Sequence, residues 1–274
     1  MNAKTSCLLA LALLLAAARS FAATAAIDIK DFQFSPATVT VNLGDTVKWT
    51  NRGSSTHTST SDTGAWNSGN LSPGQSFSRV FSAEGTFKFH CAIHTSMTGS
   101  VVVRSPEQTR IQTGKDIIAT KVLPITLNLA GKPASAVNMA YLGSYIVNAQ
   151  SGCANCHSCP AYQAGHNPYK GQSKVFNAAS YLAGNVRVTG GGIVALSANL
   201  TPDATGKPAG LTLAVFKDAL RAGHDPDVPG SLLQAMPWPF FGMMSDYDLN
   251  AVYEYLKAVP KLATPTAQCA SPGQ

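Results

Sequence analysis

The 274-residue chain is short of charge and has no basic cluster. Only 12% of its residues are Asp, Glu, Lys or Arg, and the basic ones are scattered. A formal charge of +6 spread in this way does not suit a nucleic-acid partner, which needs a basic patch. There is also no membrane-length apolar run. The longest, Cys7 to Ala18, follows Lys4 and is too short to span a bilayer. It leads into the small residues of Ser20-Phe21-Ala22, so 1–22 reads as a cleaved signal peptide. The mature chain is then expected to be exported to the periplasm, with no stable membrane insertion. No internal repeat is present, and apart from the overlapping Cys156-His157-Ser158-Cys159 no second Cys-x-x-Cys pair accompanies the one at 153–156.

What remains after the leader, about 250 residues, suits two domains. Residues 23–104 alternate as strands do: Ile27 and Ile29, Val39 and Val41, Val47 and Trp49, Phe87 and Phe89. Gly44-Asp45, Ser72-Pro73-Gly74 and Glu84-Gly85 mark turns between them. Short strands at regular spacing predict an all-β sandwich. Residues 105–135 lack clear periodicity apart from Ile117-Ile118 and Val122 to Leu129, and read as a linker with room for one strand packed on a neighbour. From 136 to 262 the pattern turns helical. Ser245 caps the clearest helix, whose stripe is Leu249, Val252, Tyr255 and Leu256. Residues 263–274 read as a polar tail apart from Cys269.

Cys91-Ala-Ile-His94-Thr-Ser-Met97 puts a thiolate, an imidazole and a thioether on one short loop after a strand. They converge only if the chain turns sharply, which a metal requires and a packed core rarely shows. His57, in the polar loop Ser54–His57, is the candidate for a second imidazole. A His₂Cys plane with a weak axial Met is a blue-copper site. His90 adjoins Cys91 on the strand and faces the other way, so it is expected not to be a ligand.

Cys153-Ala-Asn-Cys156-His157 has the spacing that attaches a c-type haem through two thioethers, with His157 beneath the iron. The sixth ligand is expected from a loop before the last helix, where Met236, Met243 and Met244 are candidates. Met244 stands at hydrophobic-staple spacing from Leu249, and Met243 reads as packing. Met236, between Ala235 and Pro237 in an extended proline-held loop, is the preferred ligand. His166 and His224 are rivals, each in a turn-rich loop.

Residues 26–104 resemble cupredoxins of the plastocyanin/amicyanin family. The matching features are Asp45-to-Trp49, His57-Thr58, Ser72-Pro73-Gly74, Gly85-to-Cys91 and His94-x-x-Met97-x-Gly99. The two-residue gap between His94 and Met97 is amicyanin-like. The resemblance implies an eight-stranded Greek-key sandwich with one type 1 copper on His57, Cys91, His94 and Met97. It also implies that Asn51 ties the two ligand loops together. Residues 136–262 resemble class I c-type cytochromes. The segments are Gly152-to-Ser158, Tyr181-to-Gly184, Ser197-to-Asp203, Leu220-Arg221-x-Gly223, Met236-Pro237-Trp238 and Asp248-to-Leu256. That implies a mainly α domain with one haem c and His/Met iron. Gly206–Gly210 departs from that pattern, as does Cys159.

Cysteine arithmetic then leaves two. Cys7 goes with the leader, Cys91 to copper, and Cys153 and Cys156 to haem. Cys159 and Cys269 are expected to pair, since export permits a disulfide; two free thiols are the alternative. Both metals would be closed by protein ligands. The chain is therefore expected to be an electron carrier rather than an enzyme, working between redox partners such as a dehydrogenase, reductase or oxidase. The alternatives are a haem peroxidase, which needs Met236 off the iron, an electron-donating component of a periplasmic oxidoreductase, and a copper-delivery protein.

Overall fold

The computed structural model describes residues 22–190 and 193–272. The signal-peptide assignment to 1–22 lies outside them except for Ala22. The chain divides into two compact units, Met1–Ser105 and Pro106–Gln274.

The first unit is built from eight strands: β1 Thr24–Lys30, β2 Gln33–Ser35, β3 Thr38–Asn42, β4 Thr46–Asn51, β5 Thr60–Ser61, β6 Ser76–Val80, β7 Gly85–His90 and β8 Thr98–Arg104. They form two four-stranded sheets, ordered β2-β1-β4-β6 and β3-β8-β7-β5. The expected sandwich is present. Alternation explains why: Val47, Trp49 and Asn51 of β4 are buried while Lys48 between them is exposed. Trp49 packs among Trp66, Phe77, Phe81 and Phe89. Asp45 accepts hydrogen bonds from the backbone N–H groups of Ala23 and Asn42, both at 2.8 Å, and so clamps the turn before β4.

The second unit differs from expectation at both ends. Residues 105–135 are not a linker. They contain helix α1, Pro106–Ala119, and a segment whose Leu123 and Leu127 are core residues. The next helix, α2, Ala134–Tyr145, runs into a π-turn at Ile146–Gln150 and then α3, Cys153–His157. Helix α1 packs Ile111, Ile117 and Ile118 against the core, but its closest approach to α2 is made where a side chain is missing. Gly114 is buried, and a Cβ built there would overlap the Tyr141 carbonyl of α2. The Ser144 hydroxyl of α2 donates to the Gly114 carbonyl at 3.0 Å. Hydrophobic periodicity cannot register a helix that docks through glycine. Gly114→Ala is accordingly expected to force the two helices apart. A loss of about 1–3 kcal/mol is the usual cost of such overpacking. Thermal unfolding of the full chain would measure it, and an unchanged midpoint would return 105–135 to linker status.

Nor is the unit purely helical. Strands β9 Val186–Gly190 and β10 Ile193–Leu196 pair antiparallel, and β11 Cys269–Ala270 joins β9 in parallel. The unit is a mixed α/β region, and 263–274 is not a free tail. Asn185 Nδ2 donates to the carbonyls of Pro265 and Ala267, and Asn199 Nδ2 to that of Leu262. Cys269 is disulfide-bonded to Cys159, the pairing expected from the cysteine count, with Cα atoms 5.6 Å apart. Helices α4 Leu213–Arg221, α5 Trp238–Phe241 and α6 Asp246–Ala258 complete the unit. As expected, Ser245 caps α6: its hydroxyl accepts from the Asp248 N–H at 3.1 Å. The stripe Leu249, Val252, Tyr255 and Leu256 is buried.

Candidate metal centre

His57 follows β4 in a loop pinned to Leu71 by two backbone hydrogen bonds, His57 N to Leu71 O at 3.1 Å and Leu71 N to His57 O at 2.8 Å. Cys91 directly follows β7. The Cys91 N–H donates to the Met97 carbonyl at 3.0 Å, and the Met97 N–H to the His94 carbonyl at 2.9 Å. These two bonds close 91–97 into a tight turn before β8.

The result is one cluster of donors. Among the described residues, His57, Cys91 and His94 form the one His/Cys/Asp/Glu group close enough to share a metal. Cys91 Sγ lies 3.7 Å from His57 Nδ1 and 3.8 Å from His94 Nδ1, and the two nitrogens are 3.1 Å apart. A triangle with those sides has a point roughly 2.1 Å from all three atoms, within the ~2.0–2.3 Å span of metal–imidazole and metal–thiolate bonds. The donors therefore fit a metal ion as they stand. His57 and Cys91 are fully buried, Met97 is 2% exposed and His94 is half-buried. His90 is outside the cluster, as expected; its Nδ1 meets Asp62 at 2.6 Å.

The thiol is prepared for a metal. Burial alone would raise its pKa, but the Thr58 N–H, the backbone of His94 and Ile93 and the His57 ring outweigh burial and bring Cys91 to about 6. A thiolate, the ligating form, is then available at neutral pH.

One expectation about the surroundings is corrected. Asn51 does not tie the two ligand loops. Its Nδ2 donates to Ser55 O and Leu71 O, both at 2.8 Å, and its Oδ1 accepts from Gly53 N, so all these partners lie on the His57 side. The tie is Thr58. Its N–H points at Cys91 Sγ at 3.3 Å, and its hydroxyl accepts the Ala92 N–H at 2.7 Å. The asparagine is consumed by turning the chain at the end of β4, and the residue beside His57 spans the gap instead.

A second neighbour left no mark in the sequence. Asp31 Oδ1 lies 3.3 Å from His57 Nε2, the ring nitrogen turned away from the thiolate. Backbone and hydroxyl donors of Ser54, with the Ser55 N–H, hold the Asp31 carboxyl well below the usual carboxylate range.

In the second unit, Cys153 and Cys156 are free thiols on α3. Burial pushes the Cys153 thiol up to about 12. Burial also lowers the pKa of His157 and so favours its neutral ring, although the residue keeps some open surface. Its Nδ1 is 2.8 Å from the Ala198 carbonyl. A carbonyl only accepts, so Nδ1 carries the proton and Nε2 keeps the lone pair a metal would use. Met236 packs against the same core as Cys153. Met244 also packs there, whereas Met243, expected as packing, is 84% exposed. His166 and His224 are engaged with Ser173 and Asp218, each at 2.8 Å.

Residues 5–103 match the family of cupredoxin-like domains. A purple cupredoxin from Nitrosopumilus maritimus is 32% identical over 29% of this chain and 99% of its own, with a TM-score of 0.28. An oxidised amicyanin variant is 28% identical over 30% of this chain and 82% of its own, with a TM-score of 0.29. The N-terminal unit is a cupredoxin-like domain. Its His-Cys-His cluster supports one copper.

Proposed function

We propose that this protein is an exported, periplasmic electron carrier with two redox centres, a type 1 copper on His57, Cys91, His94 and Met97 and a covalent haem c. The observation that carries the copper half is the convergence of Cys91 Sγ, His57 Nδ1 and His94 Nδ1 within 3.8 Å of one another. The haem half rests on the Cys153–His157 motif. There, two free thiols stand one turn apart and the adjacent imidazole has its lone pair on Nε2. Cys153 and Cys156 would hold the haem, with His157 and Met236 on the iron.

When bound, the two metals each take up and give back one electron. The chain's part is to keep them closed and accessible to partners. Four protein ligands at the copper and two at the iron leave no position for substrate, so the reading is electron transfer without catalysis. Burial of His57, Cys91 and Met97 excludes water from one side of the copper site. On the other, half-buried His94 stands beside exposed Ile93 and Phe32. A small apolar patch of this kind suits brief docking by a dehydrogenase, reductase or oxidase. Having both centres on one chain raises their effective concentration and spares one diffusional encounter.

Anaerobic redox titration of the exported protein, followed optically, tests both halves. Two transitions are expected, an intense visible band that bleaches on reduction and a haem spectrum that sharpens. A titration with no band that bleaches on reduction removes the copper reading. Haem that leaves the polypeptide on a denaturing gel removes the covalent haem reading. A haem that binds added ligands without displacement of a methionine would favour peroxidase chemistry instead.

A further inference from the structure

The turn between β1 and β2, Asp31-Phe32, is built toward the copper ligands and not toward the core. Phe32 has φ of 65°, a conformation unusual for a bulky side chain, yet it is 63% exposed. Core burial therefore does not explain the strain. Its ring contacts are the two imidazoles, edge-on to His94 at 5.1 Å and to His57 at 6.3 Å between centroids. Backbone strain held at such a place points to function.

Asp31 is fixed with comparable care. Its carboxylate accepts from Ser54 N at 3.0 Å, Ser54 Oγ at 2.7 Å and Ser55 N at 3.0 Å. Gly53 makes the room, since a Cβ there would overlap the carboxylate. With these donors in place, Oδ1 still faces His57 Nε2 at 3.3 Å. An ionised carboxylate only accepts, so Nε2 must be the protonated nitrogen and Nδ1 the one with a lone pair. Nδ1 is the atom aimed at Cys91 and His94.

We propose that Asp31 is the positioning residue that sets the copper potential, holding His57 in its metal-facing tautomer and placing a fixed negative charge behind the ring. The proposal rests on the copper reading of this unit. A carboxylate on the outer nitrogen makes an imidazole a stronger donor. A stronger donor, together with the extra negative charge, stabilises Cu(II) more than Cu(I). A copper held here would exchange one electron with a redox partner protein, with no bond made or broken at Asp31. Asp31 therefore shifts the balance between the two states toward Cu(II) and lowers the potential.

The test is the copper midpoint potential of the full chain, wild type against Asp31→Asn, by optical titration with redox mediators. Asp31→Asn is expected to favour Cu(I) by about tenfold or more, an upward shift of roughly 59 mV per decade for one electron. The intense visible band should persist, because the four ligands are untouched. A shift of less than twofold, or a downward one, overturns the proposal while the copper reading stands. A wild-type protein that takes up no copper overturns both. Should Asp31→Asn fail to fold, Gly53→Ala replaces it. The added methyl displaces the carboxylate with Asp31 still present, and the potential must rise in the same direction.

Discussion

Cys91→Ser is expected to leave a folded protein without an intense visible band, and with copper affinity reduced by about 100-fold or more. Second-sphere changes alone cost 10–100-fold, and this one removes a ligand. The side chain is wholly buried where Thr58 N–H lies 3.3 Å from the sulfur. Those surroundings bring the thiol to about 6, so a soft anion is ready at neutral pH. A serine hydroxyl in the same place stays protonated, and its hard oxygen suits Cu(I) poorly. His57 and His94 would remain 3.1 Å apart and could still hold Cu(II) weakly, which is why colour and affinity must be read together. Visible absorption and a competitive copper titration measure the two losses. A variant that kept the band would place the sulfur donor elsewhere and dissolve the proposed ligand set.

The second large effect concerns the second unit. Replacing both Cys159 and Cys269 by alanine is expected to cost up to about 4.7 kcal/mol, the chain-entropy value for a closed loop of around 100 residues. The bridged residues are 110 apart, and the loop between them holds all of the β9–β10 pair and helices α4 to α6. Against a typical total of about 5–15 kcal/mol, that loss is a large share. Its second consequence is local. With the bridge gone, the short β11 pairing and the Asn185 bonds must hold residues 265–270 by themselves. Denaturant unfolding of the variant and wild type, with hydrogen exchange over 262–272, measures both effects. A loss below about 1 kcal/mol would mean that the unfolded chain is already constrained.

How much of this was legible depended on distance along the chain. Cys91, His94 and Met97 lie within one turn, so their chemistry could be read before any fold was known. His57 was found because an imidazole was needed and a polar loop supplied one. Asp31 could not be found that way. It is 26 residues before His57, in the turn between β1 and β2, which no turn signal in the sequence marked. Parallel pairing of β1 with β4, which sets Ile29 opposite Asn51, carries residue 31 to the side of 53–57. Asn51 was misjudged, and the role of Thr58 missed, for the converse reason. Both adjoin the site in sequence, and only hydrogen-bond direction separates the residue that turns the chain from the one that bridges the loops.

The second unit shows the same division. Cap chemistry at Ser245 and the apolar stripe after it are local signals, and α6 follows them. Helix α1 escaped because close helix contact at Gly114 replaces apolar area with absent atoms. The tail escaped because its order comes from one disulfide, a two-residue strand and amides reaching across the unit.

Sequence by itself determined which side chains can ligate or bridge: residue type and short spacing decide that chemistry. Only the tertiary structure decided what stands behind each donor, because the second nitrogen of His57 meets whatever residue strand pairing brings to it.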